Sequence, residues 1–341
     1  MAIYKLFDEG NDVISNVKDT VSSGMWENGA GTLTTFFTSS TQSGSSGEHF
    51  LDVYGSDHNT SNRKVQFSVA YAHFNGSGSL GRAGVDGNRA AASIYRQLSQ
   101  TLLGPTENQF TFAGSGGNIT PKFVYAISVS REFLREKMDP GNWELHISGS
   151  EGTGSFRFID DSGATTNPTV NQGGRVFNIV SGSIASGTAV TNTAAADQDG
   201  GGYGLFYPDL GILIFNGEVL NTSCSMATVT GSNVNGDNTF KFFDRIKQAG
   251  KFQARREEVV TSQHFFVRAP NQEFNFSSNP TFSTASDGSF TIGSYYKNPK
   301  TFITQVGLYN DANELLAVAK LSKPLLKSFS REALIKVKLD F

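Results

Sequence analysis

Apolar and polar residues alternate strictly over residues 335–341. Leu334, Lys336, Lys338 and Asp340 fall on one side, Ile335, Val337, Leu339 and Phe341 on the other. A period of two is that of a strand with one apolar face. The same period runs through Val65, Phe67, Val69 and Tyr71 in RKVQFSVAYAHF. It returns at Trp143, Leu145 and Ile147 in MDPGNWELHIS, where Pro140-Gly141 predicts a turn feeding the strand. Short apolar runs bounded by turn residues predict further strands in TLTTFFT, HFLDVYG, NQFTF, KFVYAISVS, SFRFIDDSG and GRVFNIVSGSI. YGLFYPDLGILIFNG predicts two more on either side of Pro208-Asp209, and EEVVTSQHFFVRA, QEFNFSS and SFTIGSYY one each. Residues 305–309 and 315–321, joined by Asn310-Asp311-Ala312-Asn313, read as a β-hairpin followed by a loop containing Pro324.

Helical spacing is scarcer. Ile94, Leu98 and Leu102 recur every four residues, with Tyr95 and Leu103 beside them, and predict a helix near 88–103. Gly104-Pro105 is expected to close it with a left-handed cap and then a missing donor. DNTFKFFDRIKQAGK predicts a second helix near 238–249, closed by Gly250, and REFLREKM a short helical turn. The opening segment can form a short amphipathic helix or a strand through Ile14 and Val17. Strands outnumber helices and are separated by turns rather than crossover helices. The expected fold is therefore mainly β, an antiparallel β sandwich-like architecture with a few inserted helices. The strand pattern restarts after the second helix. A main β domain over 1–250 and a C-terminal β region over 251–341 are expected, divided near Gly250.

Composition adds a tendency toward contact. The 341 residues include Gly 37 and Phe 28, and only 17% are charged, against about 25% in a typical globular chain. A weakly charged surface with long Ser- and Gly-rich stretches, as over residues 22–62, suits extensive protein contact. A net charge of −3 provides no global positive field, so neither nucleic acid nor an anionic membrane is an expected partner. The single cysteine, Cys224, excludes an intrachain disulfide and reads as a small buried thiol. The N-terminus is acidic where a secretory signal is basic, and no run approaches the roughly 18 apolar residues of a membrane span.

Motifs that carry chemistry are weak in this chain. GSGSLG (76–81) satisfies G-x-G-x-x-G after a strand, but the helix starts several residues later and no suitably placed acid follows, so it reads as a flexible loop. DQDGGGY (197–203) and IDDSG (159–163) resemble calcium loops without the bidentate acid at the far end, and read as solvated turns. Asp160 and Asp161, as neighbours on a strand, point to opposite faces and do not converge. His49, His58, His73, His146 and His264 lack metal-gathering spacing; Asp57-His58 and His73 are the pair that could meet. Arg255-Arg256 beside Glu257-Glu258 reads as a self-paired charged surface. No nucleophile elbow and no phosphate-binding P-loop occurs. The sequence thus names no catalytic, cofactor-binding or metal-binding residue, and a structural rather than enzymatic role is expected.

Three segments carry a resemblance. The closing block NPKTFITQVGLYNDANELLAVAKLSKPLLKSFSREALIKVKLDF, together with SIYRQLSQTLLGPTENQFTF and FVYAISVSREFLREKMDPGNWELHIS, resembles virion structural proteins of T4-like contractile-tailed phages, the cyanophage type in particular. Together they cover about a third of the chain. The resemblance implies a tail or baseplate subunit that works by protein–protein assembly. Its partners would be other virion proteins and further copies of itself, and its location the virion, assembled in the host cytoplasm. Recognition of a host receptor or glycan by a peripheral tail protein, or a tail-associated hydrolase, is the alternative.

Overall fold

The computed structural model describes residues 4–39, 49–80, 89–113, 117–149, 155–163, 168–184, 202–224, 226, 236–276, 280–282 and 287–341. In chain order the strands are β1 (Val13–Gly24), β2 (Thr32–Leu33), β3 (Phe50–Tyr54), β4 (Val65–His73), β5 (Phe123–Val129), β6 (Lys137–Ser148), β7 (Ser155–Asp160) and β8 (Thr169–Asn171). They continue as β9 (Gly174–Ser181), β10 (Gly204–Tyr207), β11 (Ile212–Asn216), β12 (Phe252–Ala269), β13 (Lys300–Tyr309), β14 (Leu315–Ser328) and β15 (Ala333–Asp340). The helices are α1 (Ala90–Leu102), α2 (Arg131–Leu134), α3 (Gly217–Ser223) and α4 (Asp237–Ala249). The fold is mainly β with antiparallel pairing, as the rhythm of strands and turns predicts. The chain divides into two compact units, one of Val21–Glu258 and one of Met1–Thr20 with Val259–Phe341.

In the Val21–Glu258 unit the sheet order runs β12-β6-β7-β9-β10-β11-β5-β4-β3. This sheet curls until its far strands meet. The ring of Phe67 on β4 lies 5.4 Å from that of Phe252 on β12, and Trp26 contacts both, its Nε1 donating to the Phe252 carbonyl at 2.9 Å. Helix α4 packs on β3, β4 and β6, and its Phe242, Phe243 and Ile246 enter the core that the curled sheet encloses. The helix stops at Gly250, whose left-handed φ of 70° turns the chain while its N–H satisfies the Ile246 carbonyl. A second core lies on the other face of β5. Tyr125, Ile127 and Val129 point into the first core, whereas Val124 and Ala126 meet Tyr95 and Leu102 of α1 in the second.

Several expectations give way in this unit. Helix α1 ends without a left-handed glycine: Leu103 turns extended, its N–H bonding the Ser99 carbonyl, and Gly104 N–H bonds Glu107 Oε2 at 3.3 Å. Residues 108–112 form no strand beyond a bridge from Phe112 to Ile119, because Phe110 and Phe112 are spent plugging the second core. Pro140-Gly141 makes no turn before the strand but a bulge inside β6, where the register with β12 jumps from Trp143–Ala254 to Met138–Arg256. Proline cannot donate to the ladder, and Gly141 takes φ +79° with its N–H on Asp160 Oδ2 at 2.8 Å.

The smaller unit has two layers. Residues 262–269 of β12 pair one for one with β15, from Ser262–Asp340 to Ala269–Ala333, and β1 is β12's neighbour on its other side. The β13–β14 hairpin forms the second layer, its Val306 and Leu308 meeting Val337, Phe265 and Val267 across a small core. Ile14 and Val17 therefore lie on a strand rather than a helix. The loop expected at Pro324 is a bulge within β14, residues 321–324 standing opposite Thr304. The described parts of QEFNFSS and SFTIGSYY form no named strand. Phe276, Phe282, Phe290 and Tyr295 pack edge to face on one another, and Gly293–Tyr296 is a 3-10 helix.

Candidate functional site

The residues flagged for chemistry are distributed among structural duties. Gly76 and Gly78 take positive φ, but the loop they build is held in place rather than loose. His73 Nδ1 accepts from the N–H groups of Asn75 and Ser77, and Asn238 Nδ2 donates to the Gly78 carbonyl. Ser79 Oγ accepts from Ala91 N–H at 3.2 Å, taking a donor at the start of α1 that a phosphate would need. Gly81 and residues 197–201 lie outside the described residues. His58 pairs with Asp57 at 2.6 Å, separately from the His73 loop, so the two histidines form no common site.

Asp160 and Asp161 are both buried and hold different strands. Asp160 accepts from Gly141 and Ser162 N–H, and Asp161 accepts from the N–H and Nδ2 of Asn178 on β9. Burial raises the Asp160 pKa against the pull of those donors. Burial also pushes the Cys224 thiol up to about 12, which makes it an inert core group. Of the charged run at 255–258, Glu258 pairs with Arg256 and with Arg135, and Glu257 with Lys137. Among the described residues, no three His, Cys, Asp or Glu side chains gather in a way that could hold a metal ion.

Sequence reasoning missed one of the most heavily bonded charges among the described residues. Glu144 on β6 is fully buried. Its Oε1 lies 2.5 Å from His146 Nε2 and accepts from Lys251 Nζ at 3.1 Å, while Oε2 accepts from Ser183 Oγ at 2.8 Å and Ile184 N–H at 2.9 Å. Burial alone would raise this carboxyl, but the four donors outweigh it and hold the pKa down at about 2. A carboxylate with both oxygens so occupied is a poor base and a strong tie between β6, the start of β12 and residues 183–184. The sequence carried half of this signal, since Glu144 and His146 share one face of β6 opposite Trp143, Leu145 and Ile147.

The feature with unspent contact capacity lies in the smaller unit. Most of the exposed large apolar side chains among the described residues belong to it, including Leu6, Phe276, Phe302, Leu316, Leu334 and Phe341. Among the described residues, Val306, Leu308 and Val337 are its only buried apolar residues larger than alanine. On the outer face of the hairpin Tyr309 and Leu315 lie over Gly307, where a Cβ would come within 2.9 Å of the Tyr309 ring. The turn beyond is fixed by Asn310, whose Oδ1 accepts from Glu314 N–H and whose Nδ2 donates to Glu314 Oε2, both at 2.8 Å. Along β13 a cavity of about 1330 Å³ opens, lined by residues of both its faces and by Tyr4, Leu6, Phe7 and Phe276 among others. At the base of the hairpin Lys327 Nζ donates to the Asn271 and Ser328 carbonyls and to Asn275 Oδ1, tying residues 271–275 to β14. Burial pulls that ammonium below the ordinary lysine pKa.

The surface is apolar and aromatic, and its hairpin is closed by the Asn310 side chain. No helix among the described residues is long and apolar enough to cross a membrane. No family model, no curated protein and no solved structure matches the chain.

Proposed function

We propose that this chain is a structural subunit of a contractile-tailed phage virion, in the tail or baseplate, and that it acts by protein–protein assembly. The observation that carries the reading is the imbalance of the smaller unit. Phe302 is 63% exposed and Leu316 68%, in a unit that buries few large apolar residues of its own. Monomeric soluble proteins rarely leave contiguous apolar patches larger than a few hundred Å² uncovered, and larger ones mark contact surfaces. The resemblance of the closing block to virion proteins supports the tail or baseplate. The partners are other virion proteins and further copies of this chain. The test is light scattering coupled to size exclusion on the purified chain, alone and with tail proteins. Oligomers or a defined complex are expected; a monomer with no affinity for any virion protein would count against the reading.

A second reading rests on one side chain. Tyr296 is 80% exposed beside the Phe276, Phe282, Phe290 and Tyr295 cluster, and a tyrosine face with a polar edge suits a sugar ring. A glycan array with the folded chain tests this, and silence removes it.

A further inference from the structure

We infer that β13 is the edge at which two copies of this chain join, pairing antiparallel about a dyad at Gln305. The inference rests on the assembly reading above and names its contact. Among the described residues the only strand partner of β13 is β14, so one edge of β13 carries unpaired backbone groups. Natural edges are blunted by charge, proline or bulges. Strand β14 has Lys320, Lys323, Pro324 and a bulge; β15 has Lys336, Lys338 and Asp340; β1 has Lys18 and Asp19. From Thr301 to Tyr309, β13 has no charge and no proline, and Phe302, Thr304, Gln305, Gly307 and Tyr309 along it are exposed. Among the described residues it is the outer strand of this unit left uncharged over residues 301–309, with the Tyr4 ring 5.0 Å from that of Tyr309 at its end, and the one suited to strand addition.

Geometry selects the second copy as occupant. A dyad normal to the sheet keeps each face in register with itself, so it must pass through a residue rather than between two. Centred on Gln305, it sets Phe302 against Leu308 and Thr304 against Val306 on the inner face, and Ile303 against Gly307 on the outer. Lys300, the one charge in the strand, then falls beside Asn310 and Asp311 of the other copy, and this opposite-charge contact occurs twice. Centred on Thr304, the dyad would instead set Lys300 against Leu308, a core residue. Seven paired residues supply about one backbone hydrogen bond each, within the usual range of about 5–15 for a stable interface. The exposed ring of Phe302 gains a neighbour from the other copy.

The test is a charge swap at the dyad in the full chain. Gln305→Lys and Gln305→Glu are made separately, with circular dichroism melts to confirm the fold, since Gln305 is exposed. Wild type is expected at twice 36.7 kDa by light scattering. Each variant alone is expected at the monomer mass, because like charges meet at the dyad, and an equimolar mixture is expected to return to the dimer. Variants that remain dimeric, or a mixture that remains monomeric, would overturn the dyad while leaving the assembly reading intact. So would a monomeric wild type whose binding to a tail protein is lost on Gln305→Lys, which would show that the edge takes a different chain. A monomer that binds no virion protein would remove both.

Discussion

The ring of Phe242 on α4 stacks on that of Tyr125 on β5, centroids 4.8 Å apart and planes 27° from parallel. Phe215 on β11 closes the site at 5.9 Å. The contact fixes the helix inside the curled sheet, so α4 and the sheet stabilise each other rather than folding as separate pieces. Phe242→Ala is expected to cost about 3–5 kcal/mol, the range for a fully buried phenylalanine, read as a shift in the urea midpoint.

Glu144 predicts an acid limb. Its folded pKa of about 2 lies below the ordinary 4.5. The stability it contributes is therefore present above pH 4.5 and is lost as pH falls toward 2. Glu144→Gln should flatten thermal stability across that window. At neutral pH, Glu144→Ala should cost about 3 kcal/mol, since it leaves Lys251, Ser183 and the Ile184 N–H without their acceptor.

His73 titrates in the opposite sense from a salt-bridged histidine. Burial, with Lys122 and Arg89 nearby, holds its pKa below the ordinary 6.5. The neutral ring is the form that accepts from Asn75 and Ser77. Stability from this loop is present above pH 6.5 and lost as pH falls below it. Melting temperatures of wild type and His73→Phe should converge as the pH is lowered through 6.5, and parallel curves would show that the ring does not titrate with the fold.

The outer face of the hairpin offers a test in which the fold is left alone. Leu316 and Val318 are exposed. Replacing both with Asp should change stability by no more than about 1 kcal/mol, the sum of two ordinary surface changes. The same double variant should lower the mass seen by light scattering at matched concentration.

What the sequence made legible was local. Val65, Phe67, Val69 and Tyr71 alternate because β4 presents each face to a different environment, and Asn310-Asp311-Ala312-Asn313 marks the hairpin because Asn310 closes it with its own side chain. Gly250 announced the end of α4 by the conformation it takes there. Two prolines misled for one reason: Pro140 and Pro324 both sit in bulges, which read as a turn and a loop until the register of the partner strand is known. Aromatic runs misled differently. QEFNFSS and SFTIGSYY carry strand composition, yet Phe276, Phe282 and Tyr295 satisfy one another without a ladder. Of the Glu144 cluster only the Glu144–His146 pair was legible, because Ser183 and Lys251 are distant in sequence, and the meeting of Phe67 with Phe252 depends on the curl of a whole sheet.

The central claim is that the chain acts within a virion, and quantitative mass spectrometry of purified particles tests it most directly. The chain is expected at a fixed, whole-number ratio to the tail proteins, retained through density-gradient purification. Its absence from particles made in cells that express it would contradict the account.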